Sequence, residues 1–359
     1  MEDVQLNHSL PSQSTRSKRT IIYIALFLLI AIAGLAYLKW IPYYDKSILA
    51  ATTHSIGDSI LGDPSESGSF SWESAWSYAL IYFNSVWKAA VLGILLGSLL
   101  QVLLPANWLL RVLGKTSFGS TAIGGLSSLP GMMCTCCAAP VAVGLRKKNV
   151  SVGASLAFWL GNPTLNPATL IFMTFVLSWK FTLLRLIFGI ILTFGVSYLA
   201  NRFVPDVKQV DIDKIMKKVD EEKESGSFIS RWMKSLGTMT LYILPAYILS
   251  VLLMGAIRVW LFPHVSEASA NTIFMIIIFS IAGMLFVIPT AAEIPIIQTF
   301  MSFGLGGGPA AALLITLPSI SLPSLLLVAR SFPKRVLFFV VGSVVLLGIL
   351  CGVIGMYIL

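Results

Sequence analysis

Three cysteines and two methionines are gathered in the stretch LPGMMCTCCAAP. A helix would place Cys134 and Cys137 on one face, whereas extended backbone would point Cys134 and Cys136 to one side. Either geometry offers two sulfur atoms to one soft centre, such as trivalent arsenic, antimony or Cu(I), and the neighbouring Met133 could add a thioether contact. The stretch therefore predicts a thiol site that binds a soft metal or metalloid as substrate. The alternative is that these residues only fill space in a packed interior.

Prolines and asparagines interrupt the apolar segments on both sides of the chain's middle. Non-helical backbone at membrane depth persists only where it is buried in protein or lines a cavity, so these breakers predict two hairpins and two discontinuous helices along a substrate path. Simple helix kinks are the alternative. Asn162 and Asn166 are expected either to coordinate substrate or to cap the broken helix ends. The prolines concerned are Pro130, Pro140, Pro163 and Pro167 in the first half and Pro289, Pro295, Pro318 and Pro323 in the second.

Glu293 lies in the stretch IPTAAEIP, which corresponds in the second half to the cysteine stretch but contains no cysteine. A carboxylate inside a membrane segment costs several kcal/mol and is a functional candidate for that reason, here for proton coupling. The alternatives are that Glu293 faces an aqueous vestibule or pairs with a basic residue.

The composition predicts a protein that resides in a lipid bilayer. The chain has 359 residues, of which 56% are hydrophobic and 11% charged, against about 25% charged in soluble domains. The basic residues behind the net charge of +9 are spread between the apolar runs. This pattern sets the orientation of a protein in a membrane and does not form a nucleic-acid-binding surface. No G-x-x-x-x-G-K-[ST] loop occurs, so transport would be secondary or driven by a partner subunit. Neither an enzyme activity nor a cofactor is expected.

The apolar runs divide the chain into an N-terminal membrane helix and two halves of four segments each. A single offset of 155 residues (295 − 140 = 155) relates Pro140 to Pro295, Gly153 to Gly308 and Pro163 to Pro318, which indicates an internal duplication. The predicted units are a cytoplasmic tail (1–20), a membrane helix (21–41), an extracytoplasmic loop (42–78), repeat 1 (79–204), a cytoplasmic linker (205–230) and repeat 2 (231–359).

The distribution of Lys and Arg decides the relative orientation of the two repeats. Segments 118–145 and 272–301 satisfy the positive-inside rule if each enters the membrane and turns back as a re-entrant hairpin. Each repeat then has three transmembrane helices, so the repeats are inverted, as in many transporters. The predicted fold is an all-α polytopic membrane protein with seven crossings, two hairpins and a cytoplasmic N-terminus. This arrangement places five basic residues on the outside, namely Lys39, Lys46, Lys180, Arg185 and Arg258.

The cysteine stretch and the sequence AAPVAVGLRKKNVSVGASLAFWLGNPTLNP after it resemble the ArsP-like family of predicted permeases, which includes organoarsenical efflux permeases. The resemblance runs from about residue 80 to the end, and it implies a bacterial inner-membrane exporter of trivalent methylated or aromatic arsenicals. This chain departs from the family pattern in having three cysteines in CTCC and in its N-terminal helix and long loop. The matching positions are Pro140, Gly144, Leu145, Arg146, Lys147, Gly153, Ala154, Asn166 and Pro167.

The function predicted from these features is secondary export of a thiophilic small solute, in particular a trivalent arsenical, as in arsenic resistance. The alternatives are a Cu(I) or soft-metal transporter, a transmembrane thiol–disulfide electron carrier, and a structural membrane subunit. The expected partners are the substrate and the lipid bilayer, with no nucleic acid, and a homo-oligomer is compatible with the sequence. Cys351, in a distant apolar run, is expected to be a packed small residue.

Overall fold

The computed structural model describes residues 13–60, 72–204, 227–261 and 271–359, and regular structure in these ranges is entirely helical. Most of the predicted tail (1–20) and linker (205–230), and part of the predicted loop (42–78), lie outside the described residues. By length and composition, six helices could cross a membrane: Ile21–Thr53, Ala75–Leu103, Trp179–Phe203, Phe228–Ile257, Gly307–Val328 and Lys334–Ile358. This confirms the predicted all-α membrane class.

The N-terminal helix (residues 13–53) is longer than predicted. Its α-helical part Gln13–Leu35 continues through a π-helical turn, Ala36–Trp40, into a second α-helical part, Ile41–Thr53. The helix therefore extends into the range predicted as loop, because the wider π-helical turn accommodates the missing backbone donor of Pro42.

The first predicted hairpin consists of helices Phe118–Leu126 and Thr135–Lys147, with a short 3₁₀ turn, Leu129–Gly131, between them. The backbone N–H of Ser151 donates to the carbonyl of Leu113 at 3.0 Å, so the two ends of the segment are adjacent in space. The segment thus returns to the place where it began, and we call residues 118–147 hairpin 1 and Thr135–Lys147 the cysteine helix.

The second predicted hairpin has the same form. Its helices are Ile273–Leu285 and Glu293–Ser302, separated by residues 286–292. The backbone N–H of Gly308 donates to Asn271 Oδ1 at 3.0 Å, which brings the two ends of this segment together as well. We call residues 273–302 hairpin 2.

Two further segments are interrupted helices. The first broken helix has the parts Val152–Thr164 and Pro167–Val176, and the second has the parts Gly307–Ser319 and Leu322–Val328. The interruptions fall at NPTLNP and LPSISLP, where the breakers predicted them. Because the parts of the first broken helix are each short, the described residues contain six long apolar helices where seven crossings were predicted.

The last helices of the two halves, Trp179–Phe203 and Lys334–Ile358, lie antiparallel. Lys180 Nζ donates to the carbonyl of Ile358 at 2.8 Å, and at the opposite end the rings of Phe203 and Phe339 stack with centroids 4.3 Å apart. Hairpin 1 begins and ends beside the C-terminal end of the helix Trp179–Phe203. The backbone N–H of Gly153, just after the hairpin, donates there to Asn201 Oδ1 at 2.8 Å.

Hairpin 2 begins and ends beside the C-terminal end of the helix Lys334–Ile358. A Cβ on Gly307 would lie there 2.8 Å from the Cβ of Leu359. Because these two C-terminal ends point in opposite directions, the two hairpins enter the bundle from opposite ends. Their breaks meet in the interior.

Two glycines allow the long helix Trp72–Leu103 to contact the cysteine helix closely. A Cβ on Gly93 would lie 2.2 Å from the carbonyl oxygen of Cys137, and a Cβ on Gly97 would lie 2.6 Å from that of Pro140. Small residues spaced by four are typical of tight helix contacts in membranes. The backbone that carries the cysteines is thus fixed against a neighbouring helix.

Candidate functional site

A small cavity lies where the two hairpin breaks and the two broken helices meet. Both halves of the chain contribute to its wall. The lining residues are Cys134, Thr135, Pro163, Thr169, Ile288, Pro289, Thr290, Ala291, Glu293, Leu317, Pro318 and Ser321. Interrupted helices that converge on a polar cavity are the form in which transporter substrate sites are built.

The thiols of Cys134 and Cys137 form a pair. Cys134 is the N-cap of the cysteine helix, in extended backbone, and its Sγ lies 3.1 Å from that of Cys137. Cys136 points elsewhere, with its Sγ 3.5 Å from Ser321 Oγ. Of the two geometries left open by the sequence, the structure contains the helical one. Among the described residues, no three His, Cys, Asp or Glu side chains converge as a metal site.

All four cysteines are free thiols, and Cys351 is fully buried in the helix Lys334–Ile358. Only Cys134 among them lines the cavity. The pair therefore presents one sulfur to the cavity and holds the second directly behind it.

The first broken helix fixes the start of the cysteine helix. Trp159 Nε1 donates to the carbonyl of Thr135 at 2.9 Å, and Asn162 Oδ1 accepts from the backbone N–H of Met133 at 3.4 Å. The preceding Met132 has φ +47°, in the left-handed region that non-glycine residues rarely adopt. The side chain of Met133 is buried and does not line the cavity, so the predicted thioether contact to a substrate there is not present.

Asn166 caps the second part of the first broken helix. Its Oδ1 accepts from the backbone N–H groups of Ala168 at 3.0 Å and Thr169 at 3.3 Å. The structure therefore gives both predicted asparagines contacts to backbone, with Asn162 holding hairpin 1. Asn166 Nδ2 and Thr169 Oγ1 are buried and have no hydrogen-bond partner within the described part of the chain.

Glu293 pairs with Arg185, which is one of the alternatives left open by the sequence. The Glu293 Oε1 and Arg185 Nη1 atoms are 2.7 Å apart, and both side chains are almost completely buried. The second carboxylate oxygen, Oε2, has no hydrogen-bond partner among the described residues. Glu293 and Cys134 line the same cavity.

Arg185 connects the two halves of the chain. Besides Glu293, it donates to the carbonyls of Pro163 at 2.6 Å and Thr164 at 3.2 Å in the first broken helix, and to that of Leu314 at 3.3 Å in the second. The prediction that Arg185 lies outside is wrong, because this residue is on the interior face of its helix and has its partner in the other half.

Lys39 brings the N-terminal helix to the same place. Its Nζ donates to Thr290 Oγ1 at 3.3 Å and to the hydroxyl of Tyr43 at 3.1 Å, and the side chain is buried. The adjacent Trp40 donates from Nε1 to the carbonyl of Pro130 at 2.8 Å. The prediction that Lys39 lies outside is wrong as well, because the π-helical turn directs two consecutive side chains to the breaks of both hairpins.

The predicted prolines occupy three kinds of position. Three of them line the cavity, two stand inside the second helices of the hairpins or near their starts, and the others stand at turns or first helical turns. Pro163, Pro289 and Pro318 are in the first group, Pro140 and Pro295 in the second, and Pro130, Pro167 and Pro323 in the third.

The chain is similar to proteins from a bacterium and an archaeon. It is 51% identical to the UPF0718 protein YraQ of Escherichia coli (strain K12) over 328 residues, which cover 91% of this chain and 93% of the relative. It is 21% identical to the UPF0718 protein MJ0584 of Methanocaldococcus jannaschii over 336 residues, covering 74% of this chain and 90% of the relative. No solved structure matches the chain significantly.

The sequence model of the ArsP_1 family, described as predicted permease, matches residues 84–357. The match includes both hairpins, both broken helices and every residue that lines the cavity. The chain therefore belongs to the ArsP_1 family of predicted permeases.

Proposed function

We propose that this membrane permease is a secondary exporter of a thiophilic small solute, in particular a trivalent organoarsenical. The observation that carries the proposal is the Cys134–Cys137 thiol pair, with sulfur atoms 3.1 Å apart, at the wall of a cavity enclosed by both halves of the chain. Soft ligands select soft acceptors, and two adjacent sulfurs bind one such centre more tightly than a single sulfur.

The chemistry is an exchange of ligands at the arsenic atom. A hydrated organoarsenical, R–As(OH)₂, forms one As–S bond with each of the two cysteines and releases two water molecules, each made from an arsenic-bound hydroxyl and a thiol proton. The reverse reaction, or exchange with another dithiol, releases the substrate. No change in oxidation state is involved, so the cycle needs no electron acceptor.

Alternating access follows from two inverted repeats that meet at this cavity. The antiparallel last helices and the entry of the hairpins from opposite ends support this arrangement. A shared backbone feature is consistent with the repeat: Met132 and Ala291, each two residues after a hairpin proline, both have positive φ (+47° and +69°). In this arrangement one repeat rocks against the other around a fixed site.

Glu293 couples the cycle to protons in this proposal. Protonation of the carboxylate would remove the charge that holds Arg185, and Arg185 joins the ends of both broken helices. The ion pair is thus an element with two states that lies directly between the halves. Its position beside Cys134 lets substrate occupancy and protonation act on the same cavity.

In this proposal the protein lies in the inner membrane of a bacterial cell with its N-terminus in the cytoplasm. Arg146 donates to the carbonyl of Ser331 at 3.3 Å, which brings the basic residues 146–148 and 330–335 to one end of the bundle. A cluster of Lys and Arg at one end is typical of the cytoplasmic side. Substrate would enter from this side.

The test is uptake of methylarsenite, inorganic arsenite and Cu(I) into everted membrane vesicles. Cys134→Ser and Cys137→Ser should each reduce accumulation at least tenfold, because a single sulfur remains, whereas Cys351→Ser is the matched control. Cys136→Ser should retain most of the activity. Uptake of an arsenical that is equal in the wild type and both variants would reject the thiol site, and uptake of Cu(I) alone would identify the protein as a soft-metal transporter.

A second candidate function is transmembrane thiol–disulfide exchange. The observation in its favour is that Cys134 is the N-cap of a helix and Cys137 follows three residues later with its sulfur in contact, so the pair can close to a disulfide. Closure would release two electrons and two protons to a disulfide or quinone acceptor. Trapping with an alkylating reagent before and after reduction decides between the two, since only the electron carrier has a reversibly oxidised Cys134–Cys137 population in growing cells.

A further inference from the structure

Two polar atoms of the cavity's lining residues are buried and unpartnered. Thr169 Oγ1 and Glu293 Oε2 have no hydrogen-bond partner among the described residues, and both residues line the cavity. They belong to opposite halves of the chain, Thr169 to the first broken helix and Glu293 to hairpin 2. A buried polar group without a partner lowers the stability of the folded protein, so two of them at one cavity point to a ligand that satisfies them.

Other threonine hydroxyls in this region have protein partners. Thr290 Oγ1, also at the cavity, accepts from Lys39 Nζ at 3.3 Å. Thr164 Oγ1, in the first part of the same broken helix, donates to the carbonyl of Leu160 at 2.6 Å. The lack of a partner at Thr169 is therefore a property of that position and not of threonines in this part of the structure.

The two atoms together define the group that would satisfy both. The carboxylate of Glu293, which is paired with Arg185, only accepts hydrogen bonds, whereas the hydroxyl of Thr169 donates one and accepts others. A hydroxyl group on a ligand can donate to Glu293 and accept from Thr169 at the same time. An ionised carboxylate on a ligand has no proton to donate and would be repelled by Glu293.

A cationic group on the ligand is unfavourable because of the charges already present. Among the described residues, the buried charged side chains are the cations Lys39 and Arg185 and the anion Glu293, which leaves one positive charge unbalanced. Lys39 donates to Thr290 at the cavity, and Arg185 pairs with Glu293 itself. A further buried cation would be costly. The group that fits is a neutral hydroxyl.

The proposed substrate has such a hydroxyl after its first reaction with the protein. Of the four cysteines, Cys134 alone lines the cavity, so it forms the first bond. R–As(OH)₂ and the Cys134 thiol give R–As(OH)–S–Cys134 and one water, made from an arsenic-bound hydroxyl and the thiol proton. The second hydroxyl stays on arsenic until Cys137 displaces it. The cavity, of about 280 Å³, is at the small end of ligand sites, so one small solute can contact several of its walls.

We infer that Thr169 and Glu293 form a hydroxyl-binding subsite, which holds the hydroxyl that remains on arsenic after the first bond to Cys134. This inference rests on the proposed function and specifies its substrate class as arsenicals with one organic group, R–As(OH)₂. An arsenical with two organic groups, R₂AsOH, loses its one hydroxyl as water when it binds to Cys134 and leaves the subsite empty. The subsite therefore favours the first class over the second.

The test is equilibrium dialysis of the purified full-length protein against methylarsenite, which keeps a hydroxyl in the first adduct, or dimethylarsenite, which keeps none. Bound arsenic is measured by elemental mass spectrometry. The parent protein has Cys137→Ser, which stops the reaction after the first arsenic–sulfur bond. To it are added Thr169→Val, which has nearly the same shape but no hydroxyl, or Thr169→Ser, which keeps the hydroxyl. Thr174→Val, exposed on the same helix, is the matched control.

Thr169→Val should weaken the binding of methylarsenite about two- to tenfold, the contribution of one hydrogen bond, and leave that of dimethylarsenite unchanged. Thr169→Ser should bind both like the parent, and so should Thr174→Val. Without arsenical, Thr169→Val should unfold at the same temperature as the parent or a higher one, because valine removes a buried hydroxyl that has no partner. Thr164→Val, which loses a hydrogen bond, should unfold at a lower temperature.

Equal binding of methylarsenite by Thr169→Val and the parent would overturn the inference. An equal loss for both arsenicals would do so too, because it indicates a change of cavity shape, and so would a lower unfolding temperature of Thr169→Val, because it indicates a protein partner for the hydroxyl. Failure of the proposed function looks different: Cys134→Ser, added to the parent, would then bind methylarsenite as well as the parent does, or neither protein would bind it, and the subsite would be rejected with the thiol site.

Discussion

The contacts of the buried ion pair between Arg185 and Glu293 predict which substitutions destabilise the protein and which of them does so most. Arg185 has three carbonyl acceptors besides the carboxylate, whereas the carboxylate has Arg185 as its hydrogen-bonding partner and one oxygen without a partner among the described residues. Removing the arginine therefore leaves an isolated buried charge. Removing the charge of the carboxylate leaves a guanidinium that keeps its three carbonyl acceptors but loses its counter-charge.

Arg185→Met should destabilise the protein by about 3–5 kcal/mol, the usual loss when one partner of a buried pair is removed. Glu293→Gln should cost less, about 1–3 kcal/mol, because the amide oxygen can still accept from the guanidinium. In the double variant the isolated carboxylate is absent. It should therefore be more stable than Arg185→Met alone, which requires a coupling larger than the cost of Glu293→Gln, about 3 kcal/mol.

The assay is thermal unfolding in detergent, followed by the loss of the monodisperse peak in size-exclusion chromatography. The four proteins of the cycle are measured side by side, and Arg202→Met, an exposed position on the same helix, controls for loss of a basic residue. Strictly additive effects, or a double variant less stable than Arg185→Met, would refute the account given for the pair.

Two further predictions concern the backbone around the thiols. Gly93→Ala should destabilise the protein by about 1–3 kcal/mol because its Cβ would lie 2.2 Å from the carbonyl oxygen of Cys137, whereas Gly342→Ala, with nothing within 4 Å, should be neutral in the same thermal assay. Asn166→Ala should cost about 1 kcal/mol through loss of the helix cap, and Asn166→Ser should recover much of this because serine also caps. Equal midpoints within either pair of variants would contradict these contacts.

The positions of the breaks could be predicted from sequence because their causes are local. The helices end one residue after Pro163 and Pro318, and the parts that follow carry Pro167 and Pro323 in their first turn, where proline is tolerated but a preceding helical residue is not. The sequence could not decide whether the Cys134 side chain lies beside that of Cys136 or that of Cys137. Cys134 and Cys136 would have faced one side in extended backbone, and only the start of the helix at Thr135 decides that Cys134 faces Cys137.

The prediction put Lys39 and Arg185 outside because the groups that bind them in the interior are distant in sequence. Lys39 donates a hydrogen bond to Thr290, 251 residues away, and Arg185 forms an ion pair with a carboxylate in the second half of the chain. The positive-inside rule assigns each Lys or Arg to one surface of the membrane and has no place for a cation in the interior. Likewise, nothing in the composition of AYLKW marks it as a π-helical turn.

That π-helical turn has a consequence for how such a helix can change during evolution. A π-helical turn contains one residue more than an α-helical turn, and each residue of an α-helix advances by about 100° around the axis. Loss of a single residue between Ala36 and Trp40 would rotate everything after it relative to everything before it. The helix would remain long and apolar enough for a membrane, yet Lys39 and Trp40 would no longer point at the hairpins. In this segment, therefore, insertion or deletion of one residue would make or remove the contacts of Lys39 and Trp40 with the hairpins more readily than a substitution elsewhere in the helix.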